Sequence, residues 1–264
     1  MRWCPIKSLV LVVSALGGLE ACDKPPVAWS DPVSISAPRG ITDLVIDPSN
    51  TAHFVAEPHA LRTLPAAAGM CTASVRTAPG TVHLYSVWWN VRSDSSAALY
   101  TASSSDSGAT WSIPVPVDTA DRSVSGCSRP APALTVVGDD VHVAYAMTAP
   151  EGTGVFFTHF MYGMFHSPVA VTYGERLVAT SIAAQGDTVA VAYEEPNGSR
   201  ERIDLALSTT MGHIFEWRTE ATRDVDNARA PSVALRGKTI AVAWVPVGGP
   251  DSAMTRVVRA GGLQ

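Results

Sequence analysis

Beyond the first twenty or so positions, apolar residues in this chain do not recur at helical spacing. Short runs rich in Val, Thr, Tyr and Trp alternate with clusters of Gly, Pro, Asp and Ser, a pattern that predicts many short strands separated by turns. One unit recurs three times. Ala131-Pro132-Ala133-Leu134 precedes Gly138-Asp139-Asp140-Val141-His142-Val143-Ala144-Tyr145. Val178-Ala179-Thr180-Ser181-Ile182 precedes Gly186-Asp187-Thr188-Val189-Ala190-Val191-Ala192-Tyr193. Ala230-Pro231-Ser232-Val233-Ala234-Leu235 precedes Gly237-Lys238-Thr239-Ile240-Ala241-Val242-Ala243-Trp244. Each copy reads as a strand, a glycine turn and a return strand of the form Val-x-Val-Ala-aromatic. The period of roughly 50 residues matches one four-stranded blade of a β-propeller.

Two weaker copies come earlier, Asp43 to Asp47 with Ala52 to Ala56, and Ser74 to Thr77 with Val82 to Trp88. Outer hairpins follow the inner pairs at Ala98 to Ser103, at Phe156 to Tyr162 with Met164 to Val171, and at Leu205 to Ser208. The expected fold is therefore all-β, a β-propeller of about five four-stranded blades, the first abbreviated between Glu57 and Met70. A sixth blade, from another chain, stays open. Trp29-Ser30-Asp31-Pro32-Val33-Ser34-Ile35 echoes Trp111-Ser112-Ile113-Pro114-Val115-Pro116-Val117, an outermost strand. The last repeat, Ala230 to Ala260, offers three strands, so the N-terminal strand is expected to supply the fourth and remove an exposed edge. Otherwise both segments are simply edge strands that tolerate proline.

Ser104-Ser105-Asp106-Ser107-Gly108-Ala109-Thr110-Trp111 fits the pattern Ser-x-Asp-x-Gly-x-Thr-Trp. It resembles the Asp-box (BNR repeat) of sialidase-like β-propellers. Ser104 and Asp106 accept hydrogen bonds from backbone N–H groups in the turn, Gly108 takes a positive φ, and Thr110 and Trp111 begin the return strand. Ser208-Thr209-Thr210-Met211-Gly212-His213-Ile214-Phe215 keeps the Ser, the Gly and an aromatic but lacks the Asp. Gly163 is expected at the box glycine of the third blade. The resemblance implies a fold and not a reaction, since the box lies on the blade periphery.

In sialidases, turnover uses three arginines on the substrate carboxylate, a Tyr–Glu nucleophilic pair and an Asp acid/base, so the resemblance raises that activity as an alternative. Arg39, Arg129, Arg176 and Arg229 each precede an inner strand, which would set them on one face as an anion-binding rim. Otherwise they pair with local carboxylates. Candidates for chemistry are thin: Tyr193 with Glu194 and Glu195 at the end of an inner strand, and Asp43 near Arg39. Inter-blade packing is the expected use of His53, His83 and His142, so no metal site and no cofactor are expected. Trp88-Trp89 reads as an exposed-looking pair, able to stack on sugar rings or to pack between blades.

Charge and the N-terminus set the compartment. The 264-residue chain has a formal net charge of −5, which argues against a nucleic-acid partner. Arg2 and Lys7 precede an apolar run from Leu9 to Leu19, shorter than the roughly 20 residues a bilayer needs. Leu19-Glu20-Ala21-Cys22 then resembles a bacterial lipobox, although Glu20 departs from the small residue usual there. An ordinary secretory signal is the alternative. The expected organisation is a lipoprotein signal peptide over 1–21, a tether over 22–28 and a single propeller domain over 29–264. Cys22 would carry the lipid in the bacterial cell envelope, in either leaflet. Cys4 belongs to the signal, which leaves Cys71 and Cys127 for a disulfide in an oxidising compartment. The expected function is a membrane-tethered, non-catalytic propeller that binds a glycan or protein, anionic if the arginines converge. The alternative is an exo-sialidase-type glycoside hydrolase.

Overall fold

The computed structural model describes residues 29–35, 42–56, 65–223, 226–248 and 252–259, and these are nearly all β. The signal segment, the tether, Cys22 and Arg39 lie outside the described residues. Strand β1 (Val33–Ile35) is followed by a hairpin of β2 (Thr42–Ile46) and β3 (Ala52–Ala56). A four-stranded sheet follows, with β4 (Arg76–Pro79), β5 (Leu84–Val91), β6 (Ala97–Ser104) and β7 (Val115–Asp118). The next sheet holds β8 (Ala133–Val137), β9 (Asp140–Ala149), β10 (Gly152–Met161), β11 (Met164–Phe165) and β12 (Val169–Tyr173). A fourth contains β13 (Thr180–Gln185), β14 (Thr188–Asn197), β15 (Arg200–Ser208) and β16 (Trp217–Glu220). The last is built from β17 (Ala228–Arg236), β18 (Thr239–Pro246) and β19 (Ala253–Arg259), with β1 on its outer edge.

Pairings are antiparallel and local in sequence except that of β1, which reaches across the whole chain to β19. Val33 faces Thr255 and Ile35 faces Ala253. Ahead of β1, Trp29 bridges to Val258, and the Ser30 amide donates to the Val257 carbonyl at 2.8 Å. The Trp29 indole packs into the apolar layer between the fourth and fifth sheets, with the Arg256 guanidinium 5.4 Å from its ring centroid. The N-terminal strand thus covers an edge that would otherwise present unpaired amides.

The first strands of the sheets meet one another. β4 packs on β8, β8 on β13, β13 on β17, and β17 on β2. The core lies in the seams between sheets rather than in one central mass, which accounts for the repeated Val-x-Val-Ala-aromatic strand. Such a strand is covered on both faces, so both periods of its alternation are apolar. In β14, Val189, Val191 and Tyr193 face the third sheet while Ala190 and Ala192 face the fifth. In β18, Ile240, Val242 and Trp244 face the fourth sheet, with Ala241 and Ala243 against β2 and β3. Large side chains on one face meet alanines on the next, which lets neighbouring sheets approach closely.

Of the two uses open to the Trp88-Trp89 pair, the fold takes packing. Trp88 and Trp89 are not exposed: they are 3% and 0% accessible, Trp88 under Trp111 and Tyr100, and Trp89 in the seam with the third sheet. Gly163 does stand at the box glycine position: the φ pair of Tyr162 and Gly163 repeats that of Ser107 and Gly108 (56° and 84°) and of Met211 and Gly212 (58° and 86°). Met161 pairs directly with Met164, so Tyr162 (φ 52°) and Gly163 (φ 85°) form a two-residue hairpin turn of the kind that needs positive φ at both positions.

Candidate functional site

The turns joining β9 to β10 and β14 to β15, and the loops leading into β8, β13 and β17, lie at one end of the strands, the top. The box turns and the inner glycine turns lie at the other. The top carries Arg129, Arg176 and Arg229, and the structure treats them unequally.

Arg129 is buried, a correction to its placement on a binding rim. Its Nε donates to the Gly126 carbonyl at 2.7 Å and its guanidinium to the Ser123 carbonyl at 3.2 Å and the Asp121 carboxylate at 3.0 Å. The Arg129 and Asp121 side chains are 0% and 1% exposed. The guanidinium also stands 5.0 Å from the Trp89 ring centroid, and the Trp89 indole donates to the Pro130 carbonyl at 3.0 Å. Asp121 accepts further hydrogen bonds from the amides of Ala97 and Thr148, at 3.0 and 3.2 Å. A disulfide from Cys71 to Cys127, with a Cα–Cα distance of 5.3 Å, ties the same loop to the start of the second sheet.

Arg176 is half exposed and forms an ion pair with Glu201. Arg229 is exposed at the start of β17, where a bulge between Arg229 and Ser232 interrupts the ladder and Ala230 takes φ 53°. Asp43 pairs with Val55 in the first hairpin.

Between the third and fourth sheets, a shallow open cleft is lined by Gly154, Thr172, Arg176, Glu194 and Glu195 among others. Tyr193 and Glu194 are consecutive on β14 and so point to opposite faces. Tyr193 is 1% exposed, and burial, reinforced by the Asp204 charge, pushes its hydroxyl pKa up to about 12. Glu194 accepts hydrogen bonds from the amides of Ala179 (3.3 Å) and Ala230 (2.9 Å), joining the fourth sheet to the start of the fifth. They do not form a nucleophilic couple. Sequence reasoning missed a carboxyl cluster on the Tyr193 face. Burial raises the pKa of both Glu195 and Asp204, with Arg202 opposing the shift. Arg202 bridges Asp204 at 2.9 Å and Glu220 at 3.0 Å. The visible signal was the alternation of charge along Arg200, Arg202 and Asp204, which sets them on one face of the strand.

At the opposite end, the Asp-box turn has the hydrogen bonds its residue types allow. The Ser104 hydroxyl accepts from the Gly108 amide at 2.8 Å, and Asp106 accepts from the Thr110 amide at 2.8 Å and its hydroxyl at 2.6 Å. The Thr110 hydroxyl, then the Thr110 amide and the Ser104 hydroxyl, hold the Asp106 pKa down to about 2. Half-buried Trp111 packs on Trp88 and Tyr100. In the degenerate box the Ser208 hydroxyl accepts from the Gly212 amide at 3.0 Å, and the Thr210 hydroxyl replaces the carboxylate by accepting from the Ile214 amide at 3.1 Å.

The histidines compared in sequence do not meet. His53 is exposed on β3, and His83 lies 3.7 Å from Asp139. His142 is buried on β9 opposite His159 of β10. A different trio does meet: ring nitrogens of His159, His166 and His213 all lie within 4.8 Å of one another. A His-x6-His pattern centred on Tyr162-Gly163 is the signal that points to the first two, since a two-residue turn brings them directly opposite across the hairpin.

No protein-family model and no curated protein matches this chain. Among solved structures, a Hadza microbial sialidase is similar, at 10% identity and a TM-score of 0.47, covering 89% of this chain and 53% of that one. Trypanosoma rangeli sialidase is also similar, at 10% identity and a TM-score of 0.46, covering 81% of this chain and 39% of its own. The xylan beta-1,4-xylosidase of Bacillus halodurans C-125 is 10% identical with a TM-score of 0.42, over 81% of this chain and 51% of its own. This chain spans about half the length of those structures or less. Likeness of this depth assigns no activity here.

Proposed function

We propose that this chain is a non-catalytic binding propeller, tethered to the bacterial cell envelope through lipid on Cys22. Its five sheets act as blades, closed by β1 on the outer edge of the last. The ligand meets the top, where half-exposed Arg176 lines the cleft between the third and fourth sheets and exposed Arg229 stands at the start of β17. An anionic glycan or protein suits those cations better than a neutral ligand does. One observation carries the non-catalytic reading. Tyr193 and Glu194, the best nucleophile pair the chain offers, face opposite ways, and Glu194 is held by two backbone amides. A phenol buried this deeply, with its pKa pushed up to about 12, stays protonated and is a poor nucleophile.

The second reading is a glycoside hydrolase that uses Glu195 and Asp204. It is favoured by the raised pKa of both carboxyls beside a cleft. One experiment separates the two readings. Purified protein is incubated with sialoside and pentoside reporter substrates and, in parallel, titrated on a panel of acidic and neutral glycans. Binding to acidic glycans that weakens with added salt, without turnover, is the expected result. Hydrolysis abolished by Glu195→Gln would replace this reading with the second. The tether is checked separately by fatty-acid labelling, which Cys22→Ser should abolish.

A further inference from the structure

The strongest unassigned feature lies at the box end, in the seam between the third and fourth sheets. We propose that His159, His166 and His213 form a binding site for a borderline transition-metal cation of the zinc class, bridging those two sheets. This site is independent of whatever binds at the top. His159 is 2% exposed, His166 half-buried and His213 exposed, so the trio runs from the seam out to solvent and gives an ion a path in.

Donor geometry favours a cation. His159 Nε2 and His166 Nδ1 face each other at 3.0 Å. A tetrahedral zinc with bonds of 2.0–2.1 Å sets its ligand nitrogens about 3.3 Å apart, so an ion can replace the proton now shared between the rings with little rearrangement. The third ligand has its tautomer set. His213 Nδ1 lies 2.6 Å from the Thr210 carbonyl, and a carbonyl oxygen can only accept. Nδ1 therefore carries the proton, and Nε2 keeps the lone pair a metal needs. The candidate ligand atoms of the trio lie within 4.8 Å of one another, so closing them to such an edge asks for a shift of at most about 1.5 Å, with His213 on an exposed turn.

The surroundings make the placement specific. Gly212, next to His213, takes φ 86°, and a Cβ there would lie 2.0 Å from the Phe157 ring of the third sheet. That approach is what carries His213 across the seam, to a ring-centroid distance of 4.9 Å from His159. No carboxylate belongs to the trio, so imidazole nitrogens select zinc, nickel or copper(II) over calcium or magnesium. Three protein ligands leave a fourth position for water on the solvent side. The chain has seven histidines, and three of them converge at a point where apolar packing alone needs none.

The test uses tag-free, full-length protein stripped with a chelator, because an affinity tag would supply competing imidazoles. Cobalt(II) is titrated in first, with the visible bands of tetrahedral nitrogen ligation as readout, and is then displaced by zinc in a calorimeter. The expected result is one ion per chain and a melting temperature that rises with zinc. His213→Ala and His166→Ala should weaken zinc roughly 100-fold or more while melting like the metal-free wild type, and His83→Ala should bind as the wild type does. Absence of cobalt bands and of zinc heat in the wild type would overturn the site. So would a His213→Ala variant with wild-type affinity.

Discussion

The loops leading into the third and fifth sheets look equivalent in sequence, Arg129-Pro130 in one and Arg229-Ala230-Pro231 in the other. In the folded chain they are opposites. Arg129 is enclosed by Asp121, two carbonyls and the Trp89 ring, under a disulfide. Arg229 stands in solvent beside a bulge, while its neighbour Ala230 is held in a left-handed conformation by a hydrogen bond to Glu194. What decides between them is the neighbouring sheet. Trp89 and the Asp121 loop cover Arg129 from the second sheet, whereas among the described residues no aromatic ring stacks on the Arg229 guanidinium. An arginine at a repeated position is thus a structural cross-link in one place and a surface cation in another.

The largest expected effect breaks the buried member of the pair. Arg129→Ala leaves Asp121 as an uncompensated buried charge and removes the cover over Trp89. Loss of one partner from such a pair costs about 3–5 kcal/mol, so urea or thermal unfolding should show a severe loss of stability or no folded protein. A stable Arg129→Ala variant would mean that the loop is not built on this ion pair.

Next comes the staple over the same loop. Cys71 and Cys127 are 56 positions apart, and the chain-entropy model gives such a bridge roughly 4 kcal/mol. Replacing both with Ala should lower stability by about 2–4 kcal/mol, and the loss should grow when Arg129→Lys is added, because both changes loosen one loop. Strict additivity would show that loop closure and guanidinium burial act independently.

A smaller change sharpens the exposed member. Ala230 at φ 53° sits where an L side chain is strained, so Ala230→Gly should be neutral or stabilise by up to about 1 kcal/mol. Thermal melting reads the difference. A clear destabilisation would mean that the Ala230 methyl makes packing contacts worth more than the strain.

Much of the frame was legible because it rests on local chemistry. The Val-x-Val-Ala-aromatic strands are β9, β14 and β18, since a strand covered on both faces must be apolar at both periods. The echo of Trp111 in Trp29 pointed to β1 as an outer strand, and β1 does pair with β19. Contacts across sheets were not legible. Nothing near Arg129 in sequence shows that Trp89 will lie beneath it, forty residues earlier in the chain. The tyrosine and glutamate at the end of β14 looked like a pair, yet strand alternation alone already sets them on opposite faces. The histidine trio needs a hairpin register and a second sheet, so the sequence carried only its first half.

The smallest expected stability effect belongs to Arg229, and it decides the function proposed for the top of the molecule. Its side chain is exposed at the edge of a bulge, so Arg229→Ala should change stability by no more than about 0.5 kcal/mol. Binding should behave differently. If the exposed cation meets an anionic ligand, removing it should weaken association with acidic glycans or an acidic partner, and Arg229→Glu should weaken it further through repulsion. The wild type should lose affinity as salt is raised, and the variants should show a flatter salt dependence because one charge contact is gone. Titrating wild type and both variants at two ionic strengths separates the cases. Unchanged affinity with an unchanged salt slope would remove Arg229 from the binding surface. Binding would then rest on Arg176, which shares its charge with Glu201, and the loops carrying Arg129 and Arg229 would differ only in burial.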